Sequence, residues 1–257
     1  MSSKREREYE RRRYEKWQER LGKARARRHR QRVIAGSIVG ALVLTTGIVA
    51  AFALTNDTPP ASPSPSTSAA TPPENAEGVP DPSLAQDRTW TGDLALTQGD
   101  LGIELDGAAA PQAVANFVTL AGQGFFDGTK CHRLTTEGIY VLQCGDPTAL
   151  GVADPSTGGS GGPGYTWGPI ENAPADGTYP TGTIAMARTQ NDGSSMGSQF
   201  FLVYKDSQIP ADSAGGYTVF GHVTSGMDVL QAIADAGTVE GTQVPVSDVI
   251  IEGVNIQ

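Results

Sequence analysis

The sequence predicts a mainly β domain with two helices, set behind a single membrane-spanning helix. Three observations predict it. Most apolar residues after residue 88 fall in runs of four to eight, broken by Gly, Asn and Asp, the pattern of many short strands in a closed or sandwiched antiparallel sheet. Only two stretches of that region space their apolar residues as a helix does. Ahead of it, Val33 to Leu54 holds 22 residues without a charge.

Charge divides the chain before any motif is needed. Of 19 Lys and Arg, 14 lie between Lys4 and Arg32 against five Glu, whereas the remainder carries five basic and 23 acidic residues. The formal net charge of −9 averages these two opposite objects. The basic segment, residues 1–32, has Glu8 with Arg12 and Glu19 with Lys23 at i,i+4 spacing, which fits a solvated or lipid-facing helix better than a nucleic-acid contact. No nucleic acid is expected as partner.

Residues 33–54 come next. A helix of that length spans about 33 Å, enough for a hydrocarbon core of about 30 Å. A buried helix of a soluble domain is seldom apolar on every face for so long. Ala51-Phe52-Ala53 has the form of a signal-peptidase site, but the apolar run exceeds the usual 7 to 15 residues and the charged leader is long, so an uncleaved anchor is expected. The arginines ahead of it place the N-terminus in the cytoplasm and everything after Leu54 outside. Residues 55–87 then carry eight of the chain's 17 prolines among Ser, Thr and Ala. They read as an extended linker, because they cannot bury enough apolar area to offset ordering entropy.

Within the exported domain, residues 88–257, Trp90 to Leu96 and Leu101 to Leu105 flank Gln98-Gly99-Asp100 as in a hairpin. Pro111 opens a helix through Val114, Phe117, Val118 and Ala121 that stops near Gly122. Strand runs follow at Gly138 to Gln143, Thr183 to Ala187, Gln199 to Tyr204, Tyr217 to Val223 and Val249 to Val254. A second helix, with Met227, Leu230 and Ile233 on one face, ends at Gly237.

The two cysteines, Cys131 and Cys144, are the only ones in the chain and lie on the predicted exported side, where disulfides persist. A hairpin centred between Glu137 and Gly138 would set them opposite one another within bridging distance. That register denies Arg133 and Gln143 a direct pairing, so either a bulge shifts it or the two side chains meet diagonally.

Three separated segments carry the chemistry: Cys131 to Asp146, Gly-Ser-Gln-Phe-Phe-Leu at Gly197 to Leu202, and Val-Phe-Gly at Val219 to Gly221. They hold one arginine, two glutamines and several apolar side chains, with no nucleophile set up and no Gly-x-Ser-x-Gly elbow. His132 and His222 lie on separate runs with no Cys or carboxylate at ligand spacing, so no metal and no cofactor are expected. The glycine-rich run Gly158 to Gly164 has no following Lys and opens no helix, so it reads as a loop beside the site.

In order and content these segments resemble the active-site segments of cyclophilins, the peptidyl-prolyl cis/trans isomerases, over the region from about Trp90 to Gln257. The resemblance implies an eight-stranded antiparallel barrel capped by two helices, with proline-containing polypeptides as partners and a monomeric domain. It assigns Arg133, Gln143 and Tyr140 to catalysis. Arg133 suits the task on chemical grounds, since a fixed guanidinium can donate to the carbonyl oxygen or to the prolyl nitrogen of a twisting bond. Gln143 and Gln199 match the glutamines that orient that arginine and contact substrate. Val141, Phe201 and Ile209 match the proline pocket, Ala187 and Arg188 the substrate-pairing strand, and Tyr217 the usual histidine.

Departures from the family pattern are also present. The hairpin after Arg133 carries two extra residues, Val stands at 141 for Met, and the loop Ala211 to Gly216 is lengthened. Gln208 replaces the tryptophan that helps grip cyclosporin, so weak inhibition is expected. Two function classes follow, an isomerase acting on exported or envelope proteins and a non-catalytic module that holds proline-containing segments.

Overall fold

The computed structural model describes residues 77–149 and 159–257. The basic segment, the membrane-spanning helix predicted at 33–54 and the linker up to residue 76 lie outside these residues. Among the described residues, no helix is long and apolar enough to cross a membrane.

The described residues of the domain form ten strands and two α-helices: β1 (Thr89–Leu96), β2 (Gly99–Asp106), α1 (Pro111–Gly122), β3 (Arg133–Leu134), β4 (Val141–Cys144), β5 (Thr178–Tyr179), β6 (Thr183–Met186), β7 (Phe200–Val203), β8 (Ser207–Gln208), β9 (Val219–Ser225), α2 (Met227–Ala236) and β10 (Ile251–Ile256). Eight strands make one antiparallel sheet in the order β10-β1-β2-β9-β6-β7-β4-β3, and β5 pairs with β8. The expected closed barrel needs a correction: the sheet curls into a half-barrel whose end strands share no ladder. Its ends meet just outside the named strands, at the isolated bridge Lys130↔Ile250, with Cys131 N–H donating to Val249 O at 2.8 Å.

Both helices begin and end where the sequence places them. Pro111 occupies the first turn of α1, whose own N-cap, Ala110, offers no side-chain acceptor. Glu171 supplies it from 58 residues away, accepting from the backbone N–H groups of Gln112 and Ala113 at 2.9 Å each. Phe117 of α1 packs against Phe126, Phe200 and Phe220, with ring centroids 5.0 to 5.3 Å apart. Asn116, on the same buried face, donates to Gly197 O at 2.8 Å and so ties the helix to the turn that leads into β7. In α2, Leu230, Ile233 and Ala234 are buried.

The first strands form a tight hairpin with Leu96 opposite Gly99, so the turn is Thr97-Gln98, and of the three residues assigned to it, Gly99 and Asp100 already belong to β2. Residues 80–87, assigned to the linker from composition, pack onto the domain. Ala85 is fully buried, its carbonyl accepts from Trp90 Nε1 at 2.8 Å, and Pro80 O accepts from Gln112 Nε2 at 2.8 Å.

The hairpin that carries Arg133 settles the register question. Arg133 pairs with Gln143 and Leu134 with Leu142, so the turn is centred on Gly138 itself, at φ +74°, and not between Glu137 and Gly138. An odd-numbered loop with its middle residue in the left-handed region favours glycine there. His132 N–H also donates to Gln143 O at 3.0 Å, so His132 and Arg133 together face Gln143. This bulge returns Cys131 to a position opposite Cys144, and the two form a disulfide with Cα atoms 3.9 Å apart.

Removing the remote cap should loosen α1. Glu171→Ala leaves two buried N–H groups without their acceptor, and denaturant titration should show a loss of about 1–2 kcal/mol; an unchanged midpoint would mean that water or a neighbour replaces the carboxylate without cost.

Candidate active site

Opposed residues in an antiparallel ladder point to the same face, and neighbours along a strand to opposite faces. Leu134, Leu142, Leu202 and Ile184 are therefore one row across β3, β4, β7 and β6, and all four sit in the main core. The adjacent row is Arg133, Gln143, Phe201 and Ala185, on the other face. There Val141, Phe201, Ala185 and Val203 join Tyr179 and Ile209 in a second, smaller apolar cluster.

A chain of amides runs to Arg133 along that face. Its Nη1 donates to Gln143 Oε1 at 3.4 Å, Gln143 Nε2 donates to Gln199 Oε1 at 2.8 Å, and Gln199 Nε2 donates to Gly161 O at 2.8 Å. Each amide thereby turns its oxygen toward the guanidinium, which fixes the orientation of both glutamines. Gly161 is held in turn by Asp146, which accepts from the backbone of Gly161 and Gly159 and from Thr148. Burial alone would push the Asp146 carboxyl up, but these hydrogen bonds outweigh it and hold the group below the usual aspartate value.

Arg133, Val141, Gln143, Phe201, Ile209 and Tyr217, with Ile139, Ala187 and Arg188, line an open cleft. Tyr217 stands edge-on to Phe201 at 5.6 Å. The cleft thus offers an apolar floor with two arginines, Arg133 and Arg188, in its lining.

Of the residues singled out from sequence, Val141, Ala187, Phe201, Ile209 and Tyr217 reach the cleft with Arg133 and Gln143. Gln199 stands behind Gln143 and orients that side chain by accepting from its Nε2. Tyr140 requires a correction. It lies outside the cleft, edge-on to Tyr204 at 5.9 Å with Lys205 over its ring, because it alternates with Val141 along the chain. Ile139 takes the cleft position instead.

Arg188 lines the cleft but spends its donors elsewhere. It meets both carboxylate oxygens of Asp212 at 2.9 Å and the carbonyls of Gly215, Gly216 and Thr189 at 2.6 to 3.1 Å. It also lies over the Tyr217 ring at 4.6 Å. The side chain is a clamp on the lengthened loop, fully covered, rather than a free donor for substrate. Gln208 pairs with Thr178 and donates to Asp176 O at 2.6 Å, away from the cleft lining.

Sequence reasoning missed Ile139, Asp212 and Gln243. Gln243 accepts from Arg133 Nε at 2.6 Å across 110 residues of chain, and no spacing rule reaches so far. Asp212 shows only as one acid in a long loop.

The Asp212 carboxyl is held far below the usual aspartate value, first by its hydrogen bonds from Arg188 and then by Asn191 N–H. A depressed carboxylate stabilises the fold at every pH above its ordinary value of 3.8 and loses that contribution as pH falls below it. The domain should therefore lose stability below about pH 4, and Asp212→Asn should lose less on acidification than the wild-type chain. Urea titrations at pH 7 and pH 3 decide it; equal losses in both proteins would show that Asp212 does not carry the acid sensitivity.

Known proteins resemble the chain in the same region. The family model described as cyclophilin type peptidyl-prolyl cis-trans isomerase/CLD matches residues 91–256. "Probable peptidyl-prolyl cis-trans isomerase B" of Mycobacterium leprae is 41% identical over 183 residues, which are 65% of this chain and 57% of the relative. "Peptidyl-prolyl cis-trans isomerase cyp18" of Streptomyces antibioticus is 35% identical over 65% of this chain and 98% of its own length. The chain thus spans little more than half the length of the mycobacterial relatives. A crystal structure of a Cryptosporidium parvum cyclophilin type isomerase in the presence of the dipeptide Ala-Pro superposes with a TM-score of 0.53 at 25% identity, covering 65% of this chain and 98% of that one.

Proposed function

The chain belongs to the cyclophilin-type peptidyl-prolyl cis-trans isomerase family, and from that membership we propose that it catalyses rotation about X-Pro bonds in exported or envelope polypeptides and so assists their folding. The observation that carries the reading is the guanidinium of Arg133, held by two amide oxygens at the side of an apolar cleft. The likeness to a structure obtained with Ala-Pro supports a proline-containing substrate.

Rotation must cross about 18–20 kcal/mol, because twisting the bond breaks amide resonance. Breaking it returns electron density to the prolyl nitrogen, which becomes a hydrogen-bond acceptor that the planar amide does not offer. A donor fixed before the reaction binds the twisted bond better than either planar isomer, and that difference is catalysis. Phe201, Val141 and Ile209 hold the proline ring and exclude water, which strengthens the field of the guanidinium. Gln143 faces the same space and contacts the substrate backbone. The reaction needs no metal, cofactor or covalent step.

Residues 33–54 anchor the chain in the cell membrane as a single pass, with residues 1–32 in the cytoplasm and a monomeric catalytic domain outside on the proline-rich linker. The 22 uncharged residues and the arginines before them support this topology.

Arg133→Ala should reduce the isomerisation rate of a proline tetrapeptide by roughly 10² to 10³, the usual cost of one electrostatic contact to a transition state. A variant with the full wild-type rate would remove Arg133 from the mechanism, and a wild-type chain that binds proline peptides without turnover would make the domain a binding module.

Fractionation tests the topology. The full-length chain should sediment with membranes, and protease added outside intact cells or protoplasts should cut within the linker. Recovery of the intact chain in the cytosol would refute the anchor, and a mature N-terminus at Leu54 would show it to be a cleaved signal.

A further inference from the structure

We propose that Gln243, in the loop after α2, is the positioning residue that aims the Arg133 guanidinium into the cleft; the inference rests on the proposed isomerase reading. The loop spanning 237–246 folds back on itself through the bridge Thr238↔Pro245 and the bond from Val239 N–H to Val244 O at 2.8 Å. Gln243 then grips the edge strand twice. Its backbone carbonyl accepts from Leu134 N–H at 2.6 Å, and its side-chain oxygen accepts from Arg133 Nε at 2.6 Å.

The second contact decides where the guanidinium points. A guanidinium is planar and carries five N–H donors in a rigid fork. Gln143 alone, at 3.4 Å on Nη1, leaves the plane free to swing about that one long bond. A second acceptor on Nε fixes the plane, and the remaining N–H groups on Nη1 and Nη2 are then presented together.

Both partners are neutral amides, and this matters as much as their placement. Arg188 shows the alternative within the same domain, a guanidinium bound at both ends by the Asp212 carboxylate and thereby neutralised. A carboxylate in place of Gln243 would hold Arg133 as firmly and cancel the charge that the twisted bond needs. The amide positions without neutralising.

Two substitutions separate these effects, and both leave the backbone bond to Leu134 in place. In the full-length chain, Gln243→Ala frees the plane and should lower kcat for a proline tetrapeptide about tenfold to a hundredfold, with little change in KM. Gln243→Glu keeps an acceptor on Nε. Its activity, taken as a ratio to wild type, should be low at pH 7 and rise only as pH falls below the ordinary glutamate value of about 4.3, since the guanidinium beside it lowers the carboxyl. Denaturant midpoints of each variant are measured alongside. Selective ¹⁵N-arginine labelling gives a readout independent of turnover: the Arg133 Nε–H signal, assigned by its absence in Arg133→Lys, should exchange slowly with solvent in wild type and rapidly in Gln243→Ala.

Wild-type rates in both variants, a Gln243→Glu ratio flat with pH, or unchanged Nε–H exchange in Gln243→Ala would each overturn the positioning role. A wild-type chain without isomerase activity but with a protected Nε–H would overturn the proposed function and leave the placement of Arg133 by Gln243 standing.

Discussion

The pairing of Gln143 with Arg133 on one side and Phe201 on the other is the constraint on which the site depends. Because the side-chain period of a strand is two, a slip of one residue in either ladder would turn Gln143 into the main core and Leu142 out into the cleft. Such a slip would bury an amide without partners and expose a leucine, and both changes are unfavourable. The leucines of the adjacent row thus protect the register of the polar one. At the far end of the hairpin the disulfide fixes the same alignment, and the bulge at His132 lets the bridged cysteines and the Arg133–Gln143 pair coexist on one short ribbon.

Electrostatics then distinguishes two arginines that sequence treats alike. The region after residue 33 has only five basic residues against 23 acidic ones. Arg188 is paired with Asp212 and closes a loop. Arg133, among the described residues, is hydrogen-bonded by Gln243 and Gln143 alone. A cation held by amides keeps its charge, and the proposed action on a rotating bond needs that charge. The clamp at Arg188 contributes differently, fixing the loop that ends at Tyr217 and with it one wall of the cleft.

Much of this was legible in the sequence, for reasons that can be named. Pro111, Gly122 and Gly237 punctuate the helices, and α1 and α2 fall between them. The strands were visible as apolar runs but not as alternating patterns. All four residues of β6 and of β7 are buried, because the core covers one face and the second cluster the other. Arg133, Gln143 and Phe201 could be found because each lies in a short distinctive motif. Tyr140 was misplaced because it was matched to the family's pocket by its place in a motif, whereas alternation along the strand turns it to the face opposite Val141 and Gln143. Glu171, Asp212 and Gln243 were invisible as partners because they reach across 58, 24 and 110 residues, from loops where no periodicity constrains the side chain.

The longer hairpin shows how the family's pattern can change without loss of the site. Relative to that pattern it carries two extra residues. The number is even, so the opposition of Arg133 and Gln143 is kept. A single extra residue would break it, since every side chain beyond the turn would change face. What the even insertion alters is the end of the ribbon. The loop around Gly138 is wide enough for Ile139 N–H to fold back onto Glu137 O at 2.8 Å. That fold brings Ile139 to the cleft and leaves Tyr140 to pack beneath Lys205. The cleft edge is therefore rebuilt with an aliphatic side chain while the arginine, its glutamine and the phenylalanine behind them stay in one row.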